Sequence, residues 1–427
     1  MQQWMNYKWT LAILGLIPIA TANAELIIQE NSTTNTTSFA VPAVNHETAF
    51  TACLNRLKPQ AVAAGASSAL YTSYTQNLRP DRSVLERLNY QPEFSTPIWD
   101  YLSGLVDQER VDLGRQKITE HRTVLEKISQ HYGLPIETIV AVWGVESNYG
   151  SIAGRYPLLQ ALGTLSCEGR RQSFFRGEFF SAMRILQRGD VTQNELVGSW
   201  AGAFGQTQFM PTTYEELAVD FDGDGRRNLV SSTTDALAST ANFLNKRGWR
   251  TGQPWGYEVR VPDQVSIAGE SRTQKRPLSY WINQGLRRVD GQPLLSPGLM
   301  EDSRAGLLAP AGENGPLFLV FHNFDVLYRY NAAESYALAI AHLSDRLVGK
   351  GGFNTAWPTP DAGTSRAERR EIQQYLLKRG YDIGAVDGLI GDKSRQAIRQ
   401  EQLRLGLTPN ARAGQVFLRT IRQASVQ

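Results

Sequence analysis

The sequence predicts a mainly α (α+β) protein, and three observations carry that expectation. Apolar residues recur at helical spacing along most of the main body. Val124, Leu125, Ile128 and Tyr132 form one stripe between His121 and Tyr132, and Ile136, Ile139, Val140 and Trp143 form a second that ends near Gly150. Gly133-Leu134-Pro135 lies between them and reads as a stop followed by a restart. The pattern then changes between about Gly256 and Val320, where Val259 and Val261 alternate with polar residues and Pro and Gly are frequent. That stretch predicts short strands or an irregular lobe. Helical spacing returns from Ser335 to Leu347, with Ala, Leu and Ile on one face.

A chain of 427 residues is too long for one ordinary core and predicts two or three domains. Lys8, the apolar run Leu11 to Ala20 and the small residues Ala22-Asn23-Ala24 read as a secretory signal over residues 1–24, cleaved before Glu25. The run is too short to span a bilayer; a buried strand or helix is the plainer alternative. No cysteine lies near the cleavage site, so a stable membrane anchor is not expected. Residues 25–47, rich in Thr, Asn and Ser, read as a flexible lead-in, 48–350 as the main body and 351–366 as a linker. The remaining module, 367–424, shows helical stretches at about Ala367–Arg379 and Lys393–Leu405, joined by the turn-rich Gly380–Asp392.

Hydrophobic residues at 41% and charged residues at 20% are ordinary for a globular protein. A net charge of +3 is too small to argue for a nucleic-acid partner. Abundant Tyr, Phe and Trp fit sugar binding, but they also fill cores. Cys53 and Cys167 are the only cysteines. In an exported protein such a pair often forms a disulfide, and two buried thiols are the alternative.

Two segments carry chemistry. In Val142-Trp143-Gly144-Val145-Glu146-Ser147-Asn148-Tyr149-Gly150 a glutamate ends an apolar helix. A carboxyl against a dry wall keeps its proton to higher pH, as a general acid requires. A capping, ion-paired or solvated Glu is the alternative. The second segment runs from Gly198-Ser199-Trp200-Ala201-Gly202-Ala203-Phe204-Gly205 to Gln206-Thr207-Gln208-Phe209-Met210-Pro211. Its glycines let backbone approach a ligand closely, and its amides and hydroxyls can bond sugar hydroxyl and acetamido groups.

With these residues the chain resembles the B-type lytic murein transglycosylases, whose catalytic core is lysozyme-like. The resemblance runs from about Cys53 to Leu347 and rests on Glu146-Ser147, the Gly198–Pro211 segment, Asn323-Phe324 and Arg329-Tyr330-Asn331. It implies Glu146 as the catalytic acid–base. It places Ser147, Ser199, Gln208 and Phe209 around the sugar or the catalytic carboxyl, and Tyr330, Asn331 and Tyr336 in a polar-aromatic cluster at the cleavage site. Arg170 and Arg171 correspond to an arginine pair that holds acetyl or peptide parts, and Tyr101 to a subsite tyrosine. The implied partner is the glycan strand of peptidoglycan, in the periplasm; cell-wall synthesis or division proteins are further partners the sequence does not identify. The implied reaction cuts the β-1,4 bond between N-acetylmuramic acid and N-acetylglucosamine and leaves 1,6-anhydromuramic ends. Most glycosidases use two carboxylates, whereas these motifs supply one, which is compatible with assistance from the substrate's acetamido group. A hydrolytic muramidase and an inactive wall-binding scaffold are the alternatives.

Asp220-Phe221-Asp222-Gly223-Asp224-Gly225-Arg226 places oxygen ligands at positions 1, 3 and 5 and Gly at 6, the first half of an EF-hand-like calcium loop. Arg226 would offer its carbonyl. Position 12 is Ser231, not the usual Glu, and the family resemblance implies a longer loop closed by Asp235. A structural calcium is expected there, with no cofactor required for the chemistry; a solvated acidic turn is the alternative. At the C-terminus, Ile372-Gln373, Gly380-Tyr381, Val386-Asp387-Gly388 and Ala397-Ile398 resemble a three-helix peptidoglycan-binding domain. Glu401 stands where that family usually has an aromatic residue.

Overall fold

The structure, a computed structural model, describes residues 46–88 and 96–424. The expected signal, residues 1–24, lies outside the described residues, as does the lead-in up to residue 45. The helix His46–Ala63 begins inside the range expected to be lead-in.

The helix Ile136–Ser147 is the axis of the main body. Helices Gln108–Glu120, Arg122–Tyr132, Thr233–Lys246 and Glu334–Leu347 pack around it. Gly133, left-handed at φ 70°, ends the preceding helix, and Pro135 opens this one. Every residue from Thr138 to Gly144 is buried. The segment is therefore apolar all round, as a helix surrounded by helices must be, and its expected stripe is one part of that surface.

The stretch 256–320 forms one antiparallel sheet of five short strands. Their order across the sheet is Arg276–Pro277, Arg304–Leu308, Leu317–Val320, Gly256–Arg260 and Arg287–Arg288. Gly256 pairs with Val320 and Val259 with Leu317. Along the central strand Phe318 and Val320 join the main helical core, while Leu317 and Leu319 join a separate core with Tyr257, Val259, Trp281 and Phe321. Both faces of this strand are covered, so its four residues read as an apolar run and not as an alternation.

The C-terminal module has three helices, Arg366–Lys378, Asp392–Arg404 and Gln415–Ala424, around Ile372, Leu376, Ile398, Phe417, Leu418 and Ile421. Ser365 and Glu368 form a reciprocal capping box that starts the first helix. Glu401 is fully buried and takes hydrogen bonds from Tyr375, Tyr381 and Arg404. Burial pushes its pKa up, but these donors win and hold it at about 2.

The segment expected to act as a linker is packed against the body along much of its length. Phe353 stacks on His342 at 4.0 Å, the amides of Asn354 and Thr355 donate to Glu258, and Thr364 is buried. The module itself is docked: Arg412 pairs with Asp100 and Asp361, Arg370 with Glu109, and the Arg366 amide donates to Asp107.

A disulfide joins Cys53 to Cys167, linking the first helix to the end of Leu158–Cys167 across a separation of 114 residues. A cross-link over a loop of that length stabilises a fold by about 2–4 kcal/mol, chiefly by restricting the unfolded chain. Replacing both cysteines by serine is expected to lower Tm by several degrees in a thermal melt; an unchanged Tm would contradict this.

Candidate active site

Glu146 lies in the last turn of the central helix, half-buried, with Val145 beside it and Ser147 beneath. Asn148 and Tyr149 then take left-handed conformations, φ 50° and 59°, and reverse the chain. Tyr149 folds back over Gly144, where a Cβ would lie 2.7 Å from the ring, and its hydroxyl donates to the Arg110 carbonyl at 2.8 Å. The end of the helix is fixed from below, and the glutamate faces a cleft.

Tyr336 covers the carboxyl and donates a hydrogen bond to Glu146 Oε1. Tyr330 stacks on Tyr336 with centroids 6.2 Å apart and donates to the Thr207 carbonyl at 2.8 Å. Burial pushes the Glu146 pKa up to about 8, with the Tyr336 hydrogen bond opposing. Both tyrosine hydroxyls are raised well above their ordinary range, first by burial and then by the nearby carboxylate charge. A carboxyl so placed is protonated at neutral pH and is a proton donor in waiting.

The Gly198–Pro211 segment closes over the same helix end. Val197–Gly198 pairs with Tyr156–Pro157, and a Cβ on Gly154 would lie 2.1 Å from the Gly198 carbonyl carbon, so both backbones meet with no room for a side chain. Ser147 Oγ donates to the Gln206 carbonyl and accepts from the Gly150 amide at 2.8 Å. Gln206 in turn bonds Val230 and Thr233. Gln208, left-handed at φ 52°, donates its side-chain amide to the carbonyls of Ala153 and Gly205.

The cleft encloses about 750 Å³, and its lining includes Tyr101, Val145, Glu146, Asn331 and Tyr336 from the main body. Of the expected site residues it therefore gathers Tyr101, Asn331 and Tyr336 around Glu146, with Tyr330 stacked behind Tyr336. Ser147, Phe209, Arg170, Arg171 and Ser199 do not line it. Ser147 is 1% exposed and spends its hydroxyl on backbone, so it positions the helix end. Phe209 is 2% exposed and packs on Phe243 and Tyr330, which makes it a support for the tyrosine wall. Arg170 donates to the Leu88 carbonyl and Arg171 lies 4.6 Å over the Phe174 ring; neither lines this cleft. Ser199 accepts from the Ala203 amide at 3.0 Å and so shapes the turn. The opposite wall comes from the docked C-terminal segment and holds Arg366, Arg369, Arg395, Arg399 and Arg412. No local pattern marks them, because only docking brings them to Glu146.

In the acidic loop, carboxylate oxygens of Asp220, Asp222 and Asp235 lie within 4.8 Å of one another. Asp235 is buried and accepts from the amides of Phe221 and Asn228; burial raises its pKa, with the charge of Asp222 adding to the rise. Asp224 does not join these three; its carboxylate accepts from the Arg226 amide at 2.8 Å. Three oxygen donors converging from two segments suit a hard cation.

Residues 49–345 match the family described as Transglycosylase SLT domain, and residues 365–421 match a peptidoglycan binding domain family. The chain is 30% identical over 264 residues to the membrane-bound lytic murein transglycosylase B of Escherichia coli, covering 61% of this chain and 67% of that one. The crystal structure of SltB3 from Pseudomonas aeruginosa in complex with NAG-anhNAM-pentapeptide is 43% identical, with a TM-score of 0.70 over 87% of this chain and 99% of that one. The Escherichia coli lytic transglycosylase SLT35 in complex with calcium is 27% identical, with a TM-score of 0.60 over 71% of this chain and 93% of that one. Among the described residues no helix is long and apolar enough to cross a membrane.

Because Ser147 holds two backbone groups in a buried place, Ser147→Ala is expected to destabilise the protein by about 1–3 kcal/mol. Chemical denaturation would read it; a loss below about 0.5 kcal/mol, the range of ordinary surface changes, would contradict the positioning role.

Proposed function

We propose that this chain, which belongs to the transglycosylase SLT family, is an exported enzyme of the periplasm that cuts peptidoglycan strands between N-acetylmuramic acid and N-acetylglucosamine and leaves 1,6-anhydro ends. The observation that carries the reading is the carboxyl of Glu146, buried under Tyr336 and raised to about 8, with no unpaired second carboxylate among the described residues of the cleft lining. Asp100, the other acidic residue among the described residues of that lining, is committed to Arg412 at 2.8 Å.

Glu146 gives its proton to the glycosidic oxygen as the bond from that oxygen to the muramic C1 breaks. The oxygen of the substrate's 2-acetamido group bonds to C1 and carries the positive charge that develops. The Glu146 carboxylate, held in place by Tyr336, then takes the proton of the muramic 6-hydroxyl. The 6-oxygen attacks C1, the acetamido oxygen leaves, and the anhydro ring closes. Glu146 ends protonated, and no water is consumed. A two-carboxylate hydrolysis would need a second free acid within reach.

The acidic loop is proposed as a structural calcium site, with Asp220, Asp222 and Asp235 as its carboxylate ligands. It lies outside the reaction. Its influence on the cleft would pass through Gln206, which bonds Leu229, Val230 and Thr233 beside the loop.

Mass spectrometry of fragments released from purified peptidoglycan tests the reaction: anhydromuramic ends from the wild type and no release by Glu146→Gln. Reducing ends would make the protein a hydrolase. The acid form of Glu146 is present below about pH 8 and lost above it, so kcat/KM is expected to fall through that pH. Tyr336→Phe removes a hydrogen bond that favours the charged form; it is expected to move this alkaline limb upward and to lower kcat by roughly tenfold or more. A limb that stays in place would contradict the assignment. For the cation, millimolar calcium is expected to raise Tm by several degrees in the wild type and not in Asp235→Asn, a difference that separates ion binding from any loss of the loop's own hydrogen bonds.

A further inference from the structure

A second hollow of about 830 Å³ opens beside the catalytic cleft, a size within the range of small-ligand sites. The two share Thr96 and Pro97 as a common rim. The turn that joins helix His322–Asn331 to helix Glu334–Leu347 supplies one wall to each. Asn331 and Tyr336 line the cleft, whereas Ala332, Glu334 and Ser335 line the hollow. The hollow is therefore continuous with the site of Glu146. Among the described residues, no arginine of the docked module lines it.

Its walls are mainly apolar, and its aromatics are held in place. Trp99 and Tyr328 are half-buried and pack against the main core. The Arg272 guanidinium covers one face of Tyr328, 3.8 Å from the ring centroid. Arg272 is itself held by Asp325 at 2.7 Å and by Glu334 at 3.3 Å. The ring is thus fixed before any ligand arrives, which spares ordering entropy on binding. Pro97, Pro310 and Pro358 add stiff surface with no amide donor. Glu334, committed to Arg272, is the one charged side chain among the described residues of the lining. Fixed aromatics with few polar groups suit a neutral ligand that has an apolar face. A sugar ring has such a face in its C–H groups, whereas a peptide carboxylate would meet no cation there.

We propose that this hollow is a distal saccharide subsite, in which Trp99 and Tyr328 seat sugar rings of the strand beyond those held at Glu146. The inference rests on the proposed transglycosylase reading and extends its substrate. Continuity across Thr96 and Pro97 names the occupant, because a strand lying at Glu146 runs over that rim into the hollow. Long strands gain contacts that short fragments lack, so the enzyme selects its substrate by length.

The test uses the full-length protein and three synthetic strands. The first is short and bears stem peptides. The second is the same strand with peptide-free disaccharides added at both ends, and in the third the added disaccharides bear peptides. Wild-type kcat/KM per scissile bond is expected to be roughly three- to tenfold higher on the second strand than on the first, the range for one or two aromatic contacts. Tyr328→Ala removes a platform, and Ala311→Trp fills the hollow without removing one. Each is expected to bring that ratio near one. Thermal melts establish which variants are folded. A wild-type ratio near one, or a ratio that survives in a folded variant, overturns the inference and leaves the reaction standing. A gain confined to the third strand assigns the hollow to peptide and likewise overturns the saccharide subsite. Failure of the wild type to cut any of the three strands overturns the transglycosylase reading and this inference with it.

Discussion

Keeping one carboxyl out of water is the constraint on which the rest of this structure turns. A glutamate in water is ionised at neutral pH and has no proton to give. Glu146 retains its proton because the helix that carries it is buried on all sides and Tyr336 closes the approach from above. That arrangement is costly, since an ionised carboxylate there would face desolvation without a cationic partner. Charging it costs stability as pH rises through its folded value of about 8, while below its unfolded value near 4.5 the penalty is absent. The site trades fold stability at high pH for an acid that works near neutrality.

Holding such a group in register takes rigid neighbours, and the hydrogen bonds supply them as a chain. The acidic loop orders Asn228 through Asp235, and Leu229 takes the Gln206 amide. Gln206 accepts from Ser147, which adjoins Glu146. On the other side Thr207 accepts from Tyr330, which stacks on Tyr336. Residues 206 and 207 thus support both the acid and its cover. The glycines at 154 and 198 are needed because the loop and the helix end approach through backbone alone.

How much of this could be read from the chain depends on the range of the interaction. Helices, the break at Gly133-Leu134-Pro135 and the acid at Glu146 follow from local pattern and motif. The strand Leu317–Val320 shows no alternation in the sequence because it is covered on both faces, and the third helix of the module, Gln415–Ala424, follows from the resemblance to a three-helix domain. Motif membership located Ser147 and Phe209 but did not say which way they face; a motif residue can serve the ligand or the residue that touches it. Arg170 and Arg171 carried a role by resemblance, yet their side chains turn to Leu88 and Phe174. The arginine wall was illegible because it arises where two segments with separate cores meet, fixed by contacts such as Arg412 with Asp100, 312 residues apart. The linker's Pro and Gly content signalled irregular backbone, which is present, but composition does not distinguish a free tether from a packed strap.

The most direct measurement of the central claim is the ionisation of Glu146 itself. Carbon-13 NMR of glutamate side-chain carboxyls, recorded against pH for the wild type and for Glu146→Gln, isolates its resonance by difference. A midpoint near 8 is predicted for the signal missing from the variant. A midpoint near 4.5 would mean that water reaches the carboxyl, that the proton is absent at neutral pH, and that the acid in this cleft must be sought elsewhere.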